Sequence, residues 1–175
     1  VLGKVRLSGQ ALRAVTGSIL RGLRELREAC GRSHGNLKLT NVLIQGEGNL
    51  ASARFVLADP APAARLGATS ARADLRALGE ILYSLVLGRA APPGPVAASA
   101  EWSHLGPGGE AWRRLCERLL DPSVGPDELD LDELAAQVSC LRVSHTARNV
   151  VLAVLVLLLA GAGGGTYWYF TYGRS

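Results

Sequence analysis

The first part of the chain carries a hydrophobic stripe with helical spacing. Between residues 8 and 30, apolar side chains recur three or four positions apart, at Leu12, Val15, Ile19, Leu23 and Leu26. Positions with this spacing lie on one face of an α-helix. Ser8 is a good N-cap and Gly31 a typical stop. The pattern therefore predicts an amphipathic helix from Ser8 to about Cys30.

Two short apolar runs follow the first helix. They cover residues 41–44 and 53–57, and a Gly- and Asn-containing segment, 46–49, separates them. Short apolar runs on either side of a turn signal are typical of two paired strands. The sequence therefore predicts a β-hairpin here.

The rest of the first 143 residues predicts three more helices. The segment 72–87 is apolar nearly all round, which is typical of a buried helix. A further helix is predicted over 109–120, and a last one over 131–143, where Asp130 and Glu133 have the spacing of a capping box. Loops are expected around 60–72 and 92–95. The predicted fold class is mainly α with one small β hairpin.

The C-terminal segment has a different pattern. No charged side chain occurs from residue 149 to 173, and residues 150–160 are continuously apolar. About 20 such residues suffice to cross a bilayer, so we predict a single transmembrane helix over 149–172. A basic juxtamembrane linker, 144–148, would precede the helix, and a short tail, 173–175, would follow it.

Two groups of side chains within the predicted span suggest partners. Small residues could form a close packing face against a membrane-protein partner, although glycine is also common in membrane helices generally; these are Ala160, Gly161, Gly164 and Gly165. Aromatic residues could form an interface belt in the lipid bilayer; these are Tyr167, Trp168, Tyr169 and Phe170. Arg142 and Arg148 precede the span, which predicts a cytoplasmic N-terminal domain and a periplasmic or extracellular C-terminus.

Length, charge and composition limit the possible functions of the chain. The 175 residues allow one modest domain plus an appendage, and the net charge of +4 comes from mixed basic and acidic residues, which argues against nucleic-acid binding. The widely spaced Cys30, Cys116 and Cys140 have no metal-ligand spacing and are expected to be buried, reduced thiols. His104 and His145 are isolated, and we expect them at the surface.

The chain has no Met, which favours a piece of a longer protein, and its Ala-, Arg-, Gly- and Leu-rich composition suggests a bacterial source.

Four motifs occur in the order found in protein kinases. Residues 33–44, Ser-His-Gly-Asn-Leu-Lys-Leu-Thr-Asn-Val-Leu-Ile, resemble the catalytic loop H-R-D-L-K-x-x-N and its following strand. Residues 56–61 occupy the place of a strand and D-F-G, residues 73–89 resemble the buried S-D-V-x-S-L-G helix, and residues 119–122 resemble L-x-x-D-P. The resemblance implies a protein-kinase-like C-lobe over residues 1–143.

The departures from the family pattern imply an inactive domain. The family's catalytic Asp, which accepts the substrate proton, is Asn36 here, and the Arg before it is Gly35. His34, Lys38, Asn41 and Asp59 match family positions of the catalytic loop and of D-F-G, which reads Asp-Pro-Ala over 59–61. The interval from 59 to 74 has no room for A-P-E, and Gly125 replaces the Arg that pairs with it. By the same resemblance, His34 and Asp74 have a structural role.

The sequence has neither a glycine-rich loop nor a strand Lys before the first helix, so the resemblance does not extend to an N-lobe. We therefore expect no cofactor and no nucleotide binding; Asn41 with Asp59 could hold Mg²⁺ only weakly, since phosphate ligands would be missing. The predicted function is a catalytically inactive, membrane-anchored pseudokinase-like scaffold, interaction module or accessory subunit. The alternatives are a fragment of a bacterial-type transmembrane Ser/Thr receptor kinase, or a structural membrane-complex subunit with no signalling role.

Overall fold

The computed structural model describes residues 7–46, 49–67, 70–125 and 129–141, all within the unit Val1–Ser144. The described part is mainly helical. Its helices are α1 (Gly9–Cys30), α2 (Ser70–Leu87), α3 (Gly109–Leu120) and α4 (Leu131–Cys140). Its strands are β1 (Val42–Gln45) and β2 (Arg54–Leu57). Short 3-10 helices cover Leu39–Asn41, Ala63–Arg65 and Ala100–Gly108.

Helix α1 confirms the predicted stripe. The Ser8 side chain accepts a hydrogen bond from the Ala11 amide at 3.2 Å, which caps the first turn. Gly31 closes the helix in the left-handed region, with φ of 61°, and its N–H donates to the Arg27 carbonyl. The apolar positions from Leu12 to Leu23 are buried, so the amphipathic face of α1 forms one wall of the core.

The predicted hairpin is confirmed. Strands β1 and β2 pair antiparallel in a two-stranded sheet, with Val42 opposite Leu57 and Leu43 opposite Val56. The hairpin rests on α1 where Gly22 leaves room for the Leu57 side chain: a Cβ at Gly22 would lie 3.0 Å from Leu57 Cδ1. This contact fixes the hairpin beside the loop 31–41 that leads into it.

Helix α2 is the buried central helix. Its apolar residues are buried on several sides, as the all-round pattern predicted. Gly79 allows α3 to approach closely, because a Cβ there would lie 2.9 Å from Leu119 Cβ. At the same contact, the Cys116 thiol donates to the Gly79 carbonyl at 3.4 Å. Close backbone approach therefore sets the α2–α3 packing.

Arg72, at the start of α2, is hydrogen-bonded to the end of α3 and to the segment that follows it. Its guanidinium donates to the Leu119 carbonyl at 2.8 Å, to the Val124 carbonyl at 2.9 Å and to the Asp121 carbonyl. The last turn of a helix leaves carbonyls without intrahelical donors, and a cation is favourable there. Arg72 therefore holds the segment 119–124 through main-chain atoms.

Helix α4 packs along α1 and completes the core. The Asp130 side chain accepts from the Glu133 amide at 3.1 Å, as expected for an N-cap. The helix ends at Cys140, earlier than predicted, and residues 142–143 lie outside the described residues. The core also includes Trp102 and Leu105 of the 3-10 stretch, which the sequence did not predict.

The cysteine prediction is wrong at two of three positions. Cys116 is buried, but Cys30 and Cys140 are exposed. Cys30 lies beyond the last buried residue of α1, Leu23, whereas Cys140 lies between the buried Val138 and Leu141 on the outer side of α4. His104 is exposed as predicted, and His145 lies outside the described residues.

The predicted fold class included a transmembrane helix, and the described residues do not show one. Within the described ranges, no helix is both long enough and apolar enough to cross a membrane. The longest one, α1, is amphipathic and carries charged side chains such as Arg21 and Glu25, and the more apolar α2 carries Arg72 and Glu80. The structure thus has a mainly α domain with a two-stranded hairpin and no membrane-spanning helix in its described part.

The segment for which that helix was predicted, 149–172, lies outside the described residues, as do the linker 144–148 and the tail 173–175. The same holds for its candidate packing and interface residues, namely Ala160, Gly161, Gly164, Gly165, Tyr167, Trp168, Tyr169 and Phe170. The cytoplasmic placement of the domain stays a prediction.

Candidate functional site

A buried carboxylate organises the loop that follows α1. Asp74, in the second turn of α2, is 4% exposed. One of its oxygens accepts the His34 amide at 2.7 Å, and the other accepts the Gly35 amide at 2.8 Å. Two short, charge-assisted bonds from adjacent amides fix the direction of the loop at this point.

The surroundings of Asp74 have two opposing effects on the pKa of its carboxyl. Burial raises the pKa of its carboxyl, and the hydrogen bonds from the Gly35 and His34 amides act in the opposite direction. Burial dominates, so the net pKa is above the ordinary value of 3.8. The two backbone donors therefore matter for keeping the charged form inside the domain.

The His34 ring ties the loop to the segment after β2. Its Nε2 lies 3.1 Å from the Ala58 carbonyl, and its Nδ1 lies 3.3 Å from the Asn36 amide. A carbonyl only accepts and an amide N–H only donates, so the geometry fits a neutral ring with the hydrogen on Nε2. The His34 carbonyl also accepts the Ala61 amide at 2.7 Å. His34 thus contacts both Asp74 and the segment 58–61, and the structural role of the two residues stays a prediction.

Asn36 and Asp59 contact each other directly. The Asn36 side-chain amide donates to Asp59 Oδ2 at 2.9 Å and to the Asp59 carbonyl at 3.0 Å. Two acceptors on the partner mean that the amide nitrogen, and not its oxygen, faces Asp59. A carboxylate at position 36 would instead face a second carboxylate. The neutral side chain of Asn36 is therefore matched to its neighbour.

Asp59 has an unusual backbone conformation. Its φ of 56° is the only positive value among non-glycine residues that the structure describes. Asp is one of the few residue types that enter this left-handed region at low cost. The bond from Asn36 and the Ala58 amide's bond to the Asn41 carbonyl, at 2.9 Å, secure the segment on both sides.

Asn41 and Lys38 complete the set of family positions. Asn41 is buried, and its amide nitrogen donates to the Asn36 carbonyl at 2.9 Å, which closes the loop on itself. Lys38 is exposed. The structure thus brings His34, Asn36, Asn41, Asp59 and Asp74 together around one loop, with Lys38 on its outer side.

Gly35 is required by its surroundings. Its φ is +68°, and a Cβ at this position would lie 2.3 Å from Leu66 Cδ2 and 3.1 Å from Ala61 Cβ. A side chain at this position would be strained by the left-handed backbone and would require the Leu66 side chain to move.

Few described side chains at this site could bind a metal ion. Within the described residues, no three His, Cys, Asp or Glu side chains lie together as a set that could hold one. Asn41 and Asp59 are the residues that could contribute oxygens, but one Asp59 oxygen already accepts from Asn36. The neutral Asn36 cannot accept a proton from a hydroxyl at neutral pH.

Sequence reasoning missed the main-chain part of this site. Arg32 donates to the Ala61 carbonyl at 2.9 Å, beside the bond between Ala61 and His34. In these contacts the Ala61 carbonyl accepts from the Arg32 side chain and the Ala61 amide donates to the His34 carbonyl, so the atoms of Ala61 involved are backbone atoms that any residue other than proline supplies. The only sequence signal for them is the short distance in sequence between each segment and the hairpin.

Hydrogen bonds therefore connect the loop 32–41 both to α2 and to the segment 58–61. No protein-family model, no curated protein and no solved structure matches this chain.

Proposed function

We propose that the domain is a pseudokinase-like C-lobe that works by binding a partner, as a scaffold, interaction module or accessory subunit, and not by phosphoryl transfer. The four ordered motifs support the kinase resemblance. The order of helix, loop, hairpin, central helix and two further helices in the structure is compatible with it.

The contact between Asn36 and Asp59 carries the proposal. Phosphoryl transfer needs a group that accepts or orients the substrate hydroxyl, and it needs carboxylates free to hold metal ions. In this loop the first position is a neutral amide, and that amide donates to one oxygen of the carboxylate at the second. The contact links the loop to the segment after β2, which supports a structural role for both residues.

The loop around Gly35 adds a second argument. An Arg at this position would have to adopt a left-handed backbone conformation and displace the Leu66 side chain, so the observed loop favours glycine. The Arg72 bonds to main-chain carbonyls hold the segment 119–124, near Gly125, where the family uses an Arg–Glu ion pair. The domain is stabilised by contacts that do not require the catalytic residues.

Nucleotide binding provides the test. The full chain is heated with and without ATP and Mg²⁺, and its unfolding is followed by circular dichroism. We expect the midpoint to move by less than about 1 °C, because a ligand at free concentration c stabilises the folded state by RT ln(1 + c/Kd), which is close to zero when its concentration is far below its Kd. A rise of several degrees would overturn the proposal.

The variant Asn36→Asp sharpens the test. It restores the family's carboxylate, but it places that carboxylate against Asp59, so we expect lower stability and no transfer of the ATP terminal phosphate to the chain or to a generic protein substrate. Phosphate transfer by either wild type or Asn36→Asp would contradict the assignment. Purification of the native chain in a stoichiometric complex is the expected positive result.

A further inference from the structure

The exposed apolar side chains are concentrated on the hairpin. Among the described residues, the large hydrophobic side chains that are exposed are Leu43 at 51%, Val56 at 39% and Ile44 at 41%. Single exposed apolar residues are ordinary, but their concentration on neighbouring strands marks a candidate interaction surface.

Among the described residues, no strand pairs with the outer edge of β1. In the described part of the chain the sheet has two strands, so the side of β1 away from β2 has no strand partner. Edge strands of soluble proteins are usually protected by a charge, a proline or a bulge. The sequence of β1, Val-Leu-Ile-Gln, has no charge and no proline. Strand β2, by contrast, carries the exposed Arg54.

The sequence of β1 is complementary to itself. When two copies of a strand pair antiparallel about a two-fold axis perpendicular to the sheet, opposite residues point to the same face. Because successive residues of a strand point to alternate faces, two residues can lie opposite each other here only if their residue numbers are equal or differ by an even number. A register centred on residue 43 places Leu43 opposite Leu43 of the second copy and Val42 opposite its Ile44. No like charges meet in this register.

The neighbouring register is poorer. Centred on residue 44, it would place Leu43 opposite Gln45 and Val42 opposite Gly46, so apolar side chains would lose their apolar neighbours. Cross-strand apolar pairs contribute to sheet stability, whereas an apolar residue opposite a polar or missing side chain contributes less.

We propose that β1 is the interface with a second copy of this chain, paired antiparallel with Leu43 opposite Leu43. The two hairpins then form a four-stranded sheet. Because Leu43 lies opposite Val56 within each hairpin, one face of this sheet carries a continuous row of four apolar side chains. A two-stranded sheet is marginal alone, and four strands are of ordinary size. The interface does not depend on whether the catalytic loop is active.

The oligomeric state of the full chain tests the proposal. Sedimentation equilibrium is measured up to about 0.2 mM for wild type, Leu43→Lys and the control Ala97→Lys, which adds the same charge at an exposed loop position. We expect wild type and the control to dimerise and Leu43→Lys to dissociate at least about ten-fold more readily, since like charges would meet at the two-fold axis. A monomeric wild type, or a dimer that Leu43→Lys leaves intact, would overturn the proposal.

Disulfide trapping tests the register. In a Cys30→Ser and Cys140→Ser background, which removes the exposed thiols, Leu43→Cys is oxidised and compared with Ile44→Cys. Opposite residues of paired strands are within disulfide reach, and diagonal residues are not. We expect Leu43→Cys to form a covalent dimer at least about five-fold faster than Ile44→Cys. Equal rates, or a faster reaction at position 44, would refute the register. Thermal unfolding of each variant shows whether it is folded.

Discussion

The carboxylate of Asp74 offers the most direct test of how the loop is held. Replacing Asp74 by Ala leaves the amides of His34 and Gly35 without their acceptor. A buried donor without a partner costs about 1–3 kcal/mol, so two such donors cost about 2–6 kcal/mol. Burial raises the pKa of Asp74, which means that removing the buried charge returns part of this cost. We therefore expect the free energy of unfolding to fall by about 3 kcal/mol.

The measurement is urea unfolding of the full chain, followed by far-UV circular dichroism. For a domain of this size the loss corresponds to a fall in the thermal midpoint of about 10 °C. Asp74→Asn keeps one acceptor and should lose about 2 kcal/mol. The matched control is Asp59→Asn, which changes an exposed carboxylate of the same site to an amide that tolerates the left-handed backbone; it should lose less than about 1 kcal/mol.

Hydrogen exchange shows which backbone amides lose protection in Asp74→Ala. In Asp74→Ala the amides of His34 and Gly35 should exchange faster, whereas amides in the middle of α3 should change only in line with global stability. The reasoning would be refuted if Asp74→Ala cost less than about 1 kcal/mol, or if both variants at position 74 matched Asp59→Asn.

Three further predictions concern single positions. Gly35→Ala should lower the free energy of unfolding by about 1–3 kcal/mol, because the backbone is left-handed and the Leu66 side chain must move to admit the new methyl; an unchanged urea midpoint would contradict this. Burial raises the pKa of the Cys116 thiol from 9.0 to about 12. The unfolded chain therefore releases this proton first, and wild type should lose about 1 kcal/mol more than Cys116→Ala between pH 9 and pH 10 in urea titrations. With a thiol reagent at neutral pH, Cys30 and Cys140 should react in the folded state and Cys116 only after unfolding; rapid reaction of all three thiols would show that α3 is not packed as described.

Local patterns were sufficient for the regular elements. The stripe and cap residues of α1 define its face and its ends, because both signals arise within the helix itself. The strands of the hairpin were predicted within one residue for the same reason. The 3-10 stretch with Trp102 was missed, since its glycines and its proline are typical of loops and only tertiary packing buries the ring. Cys30 is exposed because the core ends at Leu23 of α1, and Cys140 is exposed because it lies on the outer side of α4; both depend on tertiary packing.

The site was predictable only in part. The motif resemblance drew attention to His34 and Asp74, and the structure brings them together. The specific bonds run from backbone amides to Asp74 and from the Asn36 amide to Asp59. Such bonds depend on the path of the chain, and the residue types alone do not determine it.

The way Arg72 holds the end of α3 has a consequence for how this region can vary. Its donors reach the carbonyls of Leu119, Asp121 and Val124, so they recognise the course of the chain and not its side chains. Exposed residues in the segment 119–125 can then be exchanged for others without loosening the attachment. Natural or laboratory selection could redesign this stretch for a new contact while a single arginine preserves its shape.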